Sequence, residues 1–148
     1  SGFVRTVLYL HDIIIPRNAS QQAKVGKRIQ PQDDYADLQP GDLLFFGSKN
    51  QDGSPKRVVH VGISLGGCRF IHSLGYVHTG SFNPLDADYD EYERNRFLFA
   101  ARILPYVNQD TQILTTDNIS LYFSGEFRTS IALSKSSSSF RRCITAPR

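Results

Sequence analysis

Val58-Val59-His60-Val61-Gly62-Ile63-Ser64-Leu65, then Gly66-Gly67-Cys68, then Arg69-Phe70-Ile71-His72-Ser73-Leu74, is the stretch on which the fold turns. Residues 58–65 alternate with period two, so Val59, Val61, Ile63 and Leu65 share one face and Val58, His60, Gly62 and Ser64 the other. The glycine pair ends this strand and starts a second, antiparallel one over residues 69–74. Register decides what the two histidines can do. A two-residue Gly66-Gly67 turn pairs Leu65 with Cys68 and sends His72 opposite Val61, to the wrong face. A three-residue loop pairs Leu65 with Arg69 and sets His72 opposite Gly62, diagonal to His60. Diagonal neighbours lie roughly 7–8 Å apart at the backbone, near enough for two imidazoles to meet. A meeting of the two histidines therefore predicts the odd loop, or an equivalent bulge.

Outward from this hairpin, Leu43, Leu44, Phe45 and Phe46 begin a short apolar run over residues 43–47, read as a buried strand. Lys49 to Arg57 carries turn signals throughout and is predicted to be a loop. Phe3, Val4, Val7 and Leu8 recur at helical spacing, giving a helix to about Leu10 that Asp12 and Pro16 stop. A second helix is predicted to start at Ser20, a good N-cap, and to run through residues 21–29. Residues 31–40 read as a polar connector. Residues 75–81 add a further strand, residues 83–94 are acidic, aromatic and turn-rich, and residues 97–104 form a last strand ended by Pro105. Helices first and antiparallel strands afterwards is the α+β pattern, with N-terminal helices packed on a sheet of about five strands.

The chain's 148 residues, 40% hydrophobic and 21% charged, suit one folded domain with a core. The formal charge of +3 is unevenly placed. Residues 124–148 hold Arg128, Lys135, Arg141, Arg142 and Arg148 against Glu126 alone, and the rest of the chain is nearly neutral. A basic binding face needs cations gathered on one folded surface, so a nucleic-acid partner is not expected. No apolar run approaches the ~18 residues of a membrane span. No basic stretch followed by an apolar core marks the start as a signal peptide, and the absence of methionine suggests a piece of a longer chain. The domain is assigned to residues 1–123. Residues 124–148, with the run Ser136 to Ser139, are read as disordered or foreign to it. Cys68 and Cys143 do not make a disulfide scaffold.

Four short strings then stand in a fixed order: Ser1-Gly2-Phe3-Val4, Gly41-Asp42-Leu43-Leu44-Phe45-Phe46, His60-Val61-Gly62-Ile63 and Phe70-Ile71-His72-Ser73. Together they resemble the NlpC-type cell-wall cysteine peptidases, a papain-like family that cleaves peptidoglycan stem peptides. In that family the first helix opens with Asp-Cys-Ser-Gly-Phe or a close variant. The resemblance thus implies a nucleophilic cysteine immediately before Ser1, outside this sequence. A cysteine in the first turn of a helix is held as thiolate by unpaired N–H groups and the positive dipole end. An imidazole must take its proton and return it to the leaving amine, and a third polar group must orient that imidazole. By the resemblance His60 is the base and His72 the orienter.

The plainer interpretation of a strand histidine is a hydrogen-bonded or partly exposed residue, and it is the ordered set of strings that favours catalysis. His11 and His78 are read as capping or surface residues. The spacing of His60, His72 and His78 matches no familiar zinc pattern, so neither a metal nor another cofactor is expected. Cys68, at a hairpin tip with nothing to hold a thiolate, is read as incidental.

Ile15-Pro16-Arg17-Asn18-Ala19-Ser20-Gln21-Gln22, Gly75-Tyr76-Val77-His78 and Tyr89-Asp90-Glu91-Tyr92 are similar to the subgroup acting on γ-D-glutamyl–diamino-acid bonds. That similarity implies stem peptides or muropeptides as substrates, Ser1 and Ser20 as substrate-binding residues, SH3-like domains upstream, and a cell-envelope location. Ser20 also serves as a helix cap in the bland interpretation. The alternative function is a non-catalytic muropeptide-binding module or inactive paralogue.

Overall fold

The structure, a computed structural model, describes residues 1–118, of which Ser1–Thr116 form one compact unit. The domain boundary at residue 123, the interpretation of residues 124–148 and Cys143 lie outside the described residues. Helix α1 (Gly2–Leu10) buries Val4 and Leu8, one turn apart, and leaves Tyr9 and Leu10 exposed. It is followed by a single turn, α2 (Ala19–Gln22), and by strands β1 (Lys27–Ile29), β2 (Leu43–Lys49), β3 (Pro55–Gly66), β4 (Arg69–Leu74) and β5 (Tyr76–Ser81). Helix α3 (Glu91–Arg96) leads directly into β6 (Phe97–Arg102), and a 3₁₀ turn covers Leu104–Tyr106.

All six strands form one antiparallel sheet in the order β1-β6-β2-β3-β4-β5. Its central strand β2 is apolar on both faces because both are covered. Leu43 and Phe45 join Val4, Leu8, Val61, Ile63, Phe99 and Ala101 in one cluster. Leu44 and Phe46 join Leu38, Phe70, Phe82, Phe97 and Ala100 in the other. The predicted α+β architecture stands, with six strands where about five were expected. Arg102, at the end of β6, clamps Asp42 with Nε to Oδ1 at 3.0 Å and Nη2 to Oδ2 at 2.9 Å, and Nη2 also donates to the Asp37 carbonyl at 3.0 Å, tying the polar connector to the sheet.

Three expectations need correction. The second helix stops after one turn and is N-capped by Asn18, with Ser20 inside the turn rather than at its cap. Gly26 takes φ +72°, and a Cβ there would stand 2.5 Å from the Arg102 carbonyl, so no helix can continue through it; Lys27–Ile29 pairs with β6 instead. The loop predicted from Lys49 shrinks, because β2 and β3 stay paired out to Lys49 and Pro55. The segment read as turn-rich contains α3, whose N-cap Asp90 accepts the Glu93 N–H at 2.9 Å. Its signal was in the sequence: Asp90 three residues before Glu93, acids in the first turn and arginines in the last.

Candidate active site

Strand β3 supplies His60 and β4 supplies His72. Ile63 pairs with Ile71 and Ser64 with Phe70, and the ladder then slips so that Gly66 meets Arg69. Leu65 is the extra residue, a bulge equivalent to the odd loop expected. The register places Gly62 beside His72, and an added Cβ on Gly62 would stand 3.2 Å from that of His72. His60 is thereby diagonal to His72, and Nε2 of His60 lies 3.0 Å from Nδ1 of His72. His60 packs against Phe46 and His72 against Phe70. Both histidines are buried, 8% and 0% exposed, so neither imidazole is a surface residue that happens to face its neighbour.

Burial disfavours the imidazolium, and the His60 pKa falls to about 4. His72, the Ser1 ammonium and Arg96 lower it further, and Asp90 opposes them. The influence of Ser1, smaller than that of burial or His72, bears on the layout of the site. It puts the start of α1 within electrostatic reach of His60, while α1 itself packs against β3 and β4. His72 is also held below the usual imidazole range, by burial and then by His78, with Asp90 opposing.

His78 is not the surface residue expected. In β5 it stands directly opposite His72, and the two Nε2 atoms lie 2.8 Å apart. His78 Nδ1 lies 3.2 Å from the Tyr76 carbonyl, and Asp90 Oδ2 is 3.7 Å from His72 Nε2. The clue was the turn: His72 and His78 are equidistant in sequence from Gly75, so a tight β4–β5 hairpin must bring them face to face. Glu93 also escaped the sequence reading. It is fully buried, its Oε1 accepts from Arg96 at 3.2 Å, and its Oε2 has no partner among the described residues. Burial raises its pKa to about 6, Arg96 pulling the other way.

Among the described residues, two sets of side chains converge closely enough to hold a cation, His60 with His72 and Glu93, and His72 with His78 and Asp90. They share His72, both of whose ring nitrogens already face another imidazole, so an ion in either set would displace a histidine–histidine hydrogen bond.

The remaining predicted site residues are dispersed. Ser1 lines a hollow of about 230 Å³ with Arg5, Arg17 and Asn18. Ser20 is exposed and lines a different one, with Lys24 and Arg57. The buried Gln22 bridges the two segments, donating through Nε2 to the Pro16 carbonyl at 2.8 Å and reaching the Ser1 carbonyl at 3.5 Å. His11 sits at the C-cap of α1. Cys68 is a free thiol whose pKa burial pushes up, the opposite of an activated nucleophile.

A buried imidazole hydrogen-bonded to a second one, on a sheet against which a leading helix packs, has the geometry that a general base and an orienting partner need. In comparison with known proteins, residues 1–97 match the NlpC/P60 family, and the chain belongs to it. It is 40% identical over 73 residues to the γ-D-glutamyl-L-lysine dipeptidyl-peptidase of Bacillus subtilis, a match covering 49% of this chain and 22% of that protein. Over 74 residues it is 40% identical to the probable endopeptidase NlpC of Escherichia coli, covering 49% of this chain and 43% of the relative. The crystal structure of an NlpC/P60 family protein from Bacillus cereus superposes with a TM-score of 0.55 at 28% identity, covering 70% of this chain and 30% of that one. The chain thus matches less than half the length of each of these relatives.

Proposed function

We propose that this chain is the body of a cysteine peptidase that hydrolyses γ-D-glutamyl–diamino-acid bonds in peptidoglycan stem peptides. Its nucleophile would be a cysteine immediately before Ser1, so the sequence as it stands would be inactive. The observation that carries this is the buried His60–His72 pair, 3.0 Å apart, within electrostatic reach of the start of α1. The name of the Bacillus subtilis relative, γ-D-glutamyl-L-lysine dipeptidyl-peptidase, supports the bond class. Arg5 and Arg17 line the same hollow as Ser1, and the proposal assigns them to the carboxylates of a stem peptide. Ser1 and Ser20 remain the proposed substrate contacts.

Neutral His60 takes the thiol proton, and the thiolate attacks the γ-D-glutamyl carbonyl. The amine of the diamino acid leaves with the proton from His60, and water then releases the acyl group from sulfur. A thiolate beside His60 would favour its protonated form, offsetting the burial that holds it neutral here. The whole protein would carry SH3-like domains upstream and work at the cell envelope. Among the described residues no helix is long and apolar enough to cross a membrane.

The test is to extend the N-terminus with Asp-Cys and assay release of the diamino acid from a γ-D-glutamyl stem peptide. The extended chain should turn over and the present one should not. His60→Ala in the extended chain should cost about 10²–10⁴-fold in rate. A folded, extended chain that releases nothing refutes the peptidase proposal and leaves a muropeptide-binding role, which binding of the same peptide would show.

A further inference from the structure

The histidine pair continues into a chain of three imidazoles that ends on a backbone carbonyl. Its links run from His60 Nε2 to His72 Nδ1 at 3.0 Å, from His72 Nε2 to His78 Nε2 at 2.8 Å, and from His78 Nδ1 to the Tyr76 oxygen at 3.2 Å. A neutral imidazole has one N–H and one lone pair, so each ring can pass a hydrogen bond in only one sense. A carbonyl oxygen only accepts. The last link therefore puts the proton of His78 on Nδ1 and leaves its Nε2 as an acceptor. His72 must then donate from Nε2 and accept at Nδ1. His60 must donate from Nε2, which leaves its lone pair at Nδ1, a nitrogen that no hydrogen bond engages among the described residues.

We propose that His78 is a positioning residue: anchored on the Tyr76 carbonyl, it sets the tautomers of His72 and His60 so that the free lone pair of His60 lies at Nδ1. Asp90 works in the same sense. Its Oδ2, 3.7 Å from His72 Nε2, is an acceptor too, so both neighbours of that nitrogen call for a donor. Burial keeps His60 and His72 in the neutral forms the chain needs. Catalytic use of the lone pair rests on the peptidase proposal, since only a thiol at the start of α1 would give His60 a proton to take. The tautomers themselves do not.

The experiment labels the histidines of the present chain with ¹⁵N and records long-range ¹H–¹⁵N spectra at about pH 8, above the ordinary imidazole range. His60 and His72 should each show a protonated Nε2 and a bare Nδ1, and His78 the reverse. A protonated Nδ1 on His60 or His72 overturns the proposal without any variant. In His78→Leu, which leaves only the more distant Asp90 Oδ2, 3.7 Å away, to call for a donor, the tautomers of His60 and His72 should weaken to mixtures. In His78→Gln, whose amide oxygen can accept from His72, the wild-type pattern should persist. Wild-type tautomers in His78→Leu would show that His78 positions nothing. In the chain extended with Asp-Cys, His78→Leu should lower kcat by roughly 10- to 100-fold with little change in KM, and His78→Gln should restore most of it. The expected tautomers in an extended chain with no turnover would sink the peptidase proposal and leave the hydrogen-bond assignment intact.

Discussion

Replacing Glu93 with glutamine should change how the domain's stability depends on pH. The Glu93 carboxyl is fully buried, with Arg96 on one oxygen and no hydrogen-bond partner on the other among the described residues. Its pKa rises from 4.5 to about 6. Between those values the native state holds a proton that the unfolded chain has lost. Stability from this group is thus fully present below pH 4.5 and is lost as pH climbs through 6. The rise from 4.5 to about 6 corresponds to about 2 kcal/mol. His60 works in the opposite direction. Its pKa falls from 6.5 to about 4, so the unfolded state takes up a proton first, and stability is lost as pH drops through that window, by about 3 kcal/mol. The wild-type curve is the difference of these two trends, and Glu93→Gln removes one of them. Urea unfolding of both chains at about pH 4 and pH 8 isolates it, because the histidines titrate in each. The stability of the wild type relative to the variant should fall by about 2 kcal/mol from the lower pH to the higher, a relative midpoint shift of about 1 M urea. Parallel curves across that range would refute the claim that a buried, half-satisfied carboxyl lies beside the histidines.

Two further perturbations probe the site's geometry. Gly62→Ala puts a Cβ 3.1 Å from the Ile71 carbonyl and 3.2 Å from the His72 Cβ, so β4 must retreat by a few tenths of an ångström. A loss of about 1–2 kcal/mol in urea unfolding is expected, with a weaker His60–His72 coupling in the histidine spectra; an unchanged stability would mean the two strands approach less closely. Acetylating the Ser1 amine removes a positive charge that disfavours protonated His60, so the His60 pKa should rise from about 4 toward the ordinary value in an NMR titration. A pKa that does not move would separate the start of α1 from the histidine pair and remove the support for a nucleophile there.

What could be read from the sequence divides by how local its cause is. The His60–His72 meeting was legible because, once the family resemblance asks the two rings to meet, strand period admits only an odd connection within these fifteen consecutive residues, and whether the odd residue is looped or bulged the register comes out the same. His78 obeys the same logic one hairpin later, and the mirror placement about Gly75 was available to the same geometric test; treating the histidine as a lone residue hid it. The end of α2 was a different matter. Local propensity allows a helix through residues 21–29, and what forbids it is a carbonyl on β6, some seventy-five residues further along the chain. Glu93 was illegible for a stronger reason, since a charged residue in an acidic, exposed-looking segment carries no mark of burial. Its environment is assembled by α3 folding over the sheet, with Asp90 capping that helix through one carboxyl oxygen and turning the other toward His72. One aspartate thus starts a helix and faces the imidazole chain at once. A sequence shows the cap, and only the packed domain shows that the cap also borders the site.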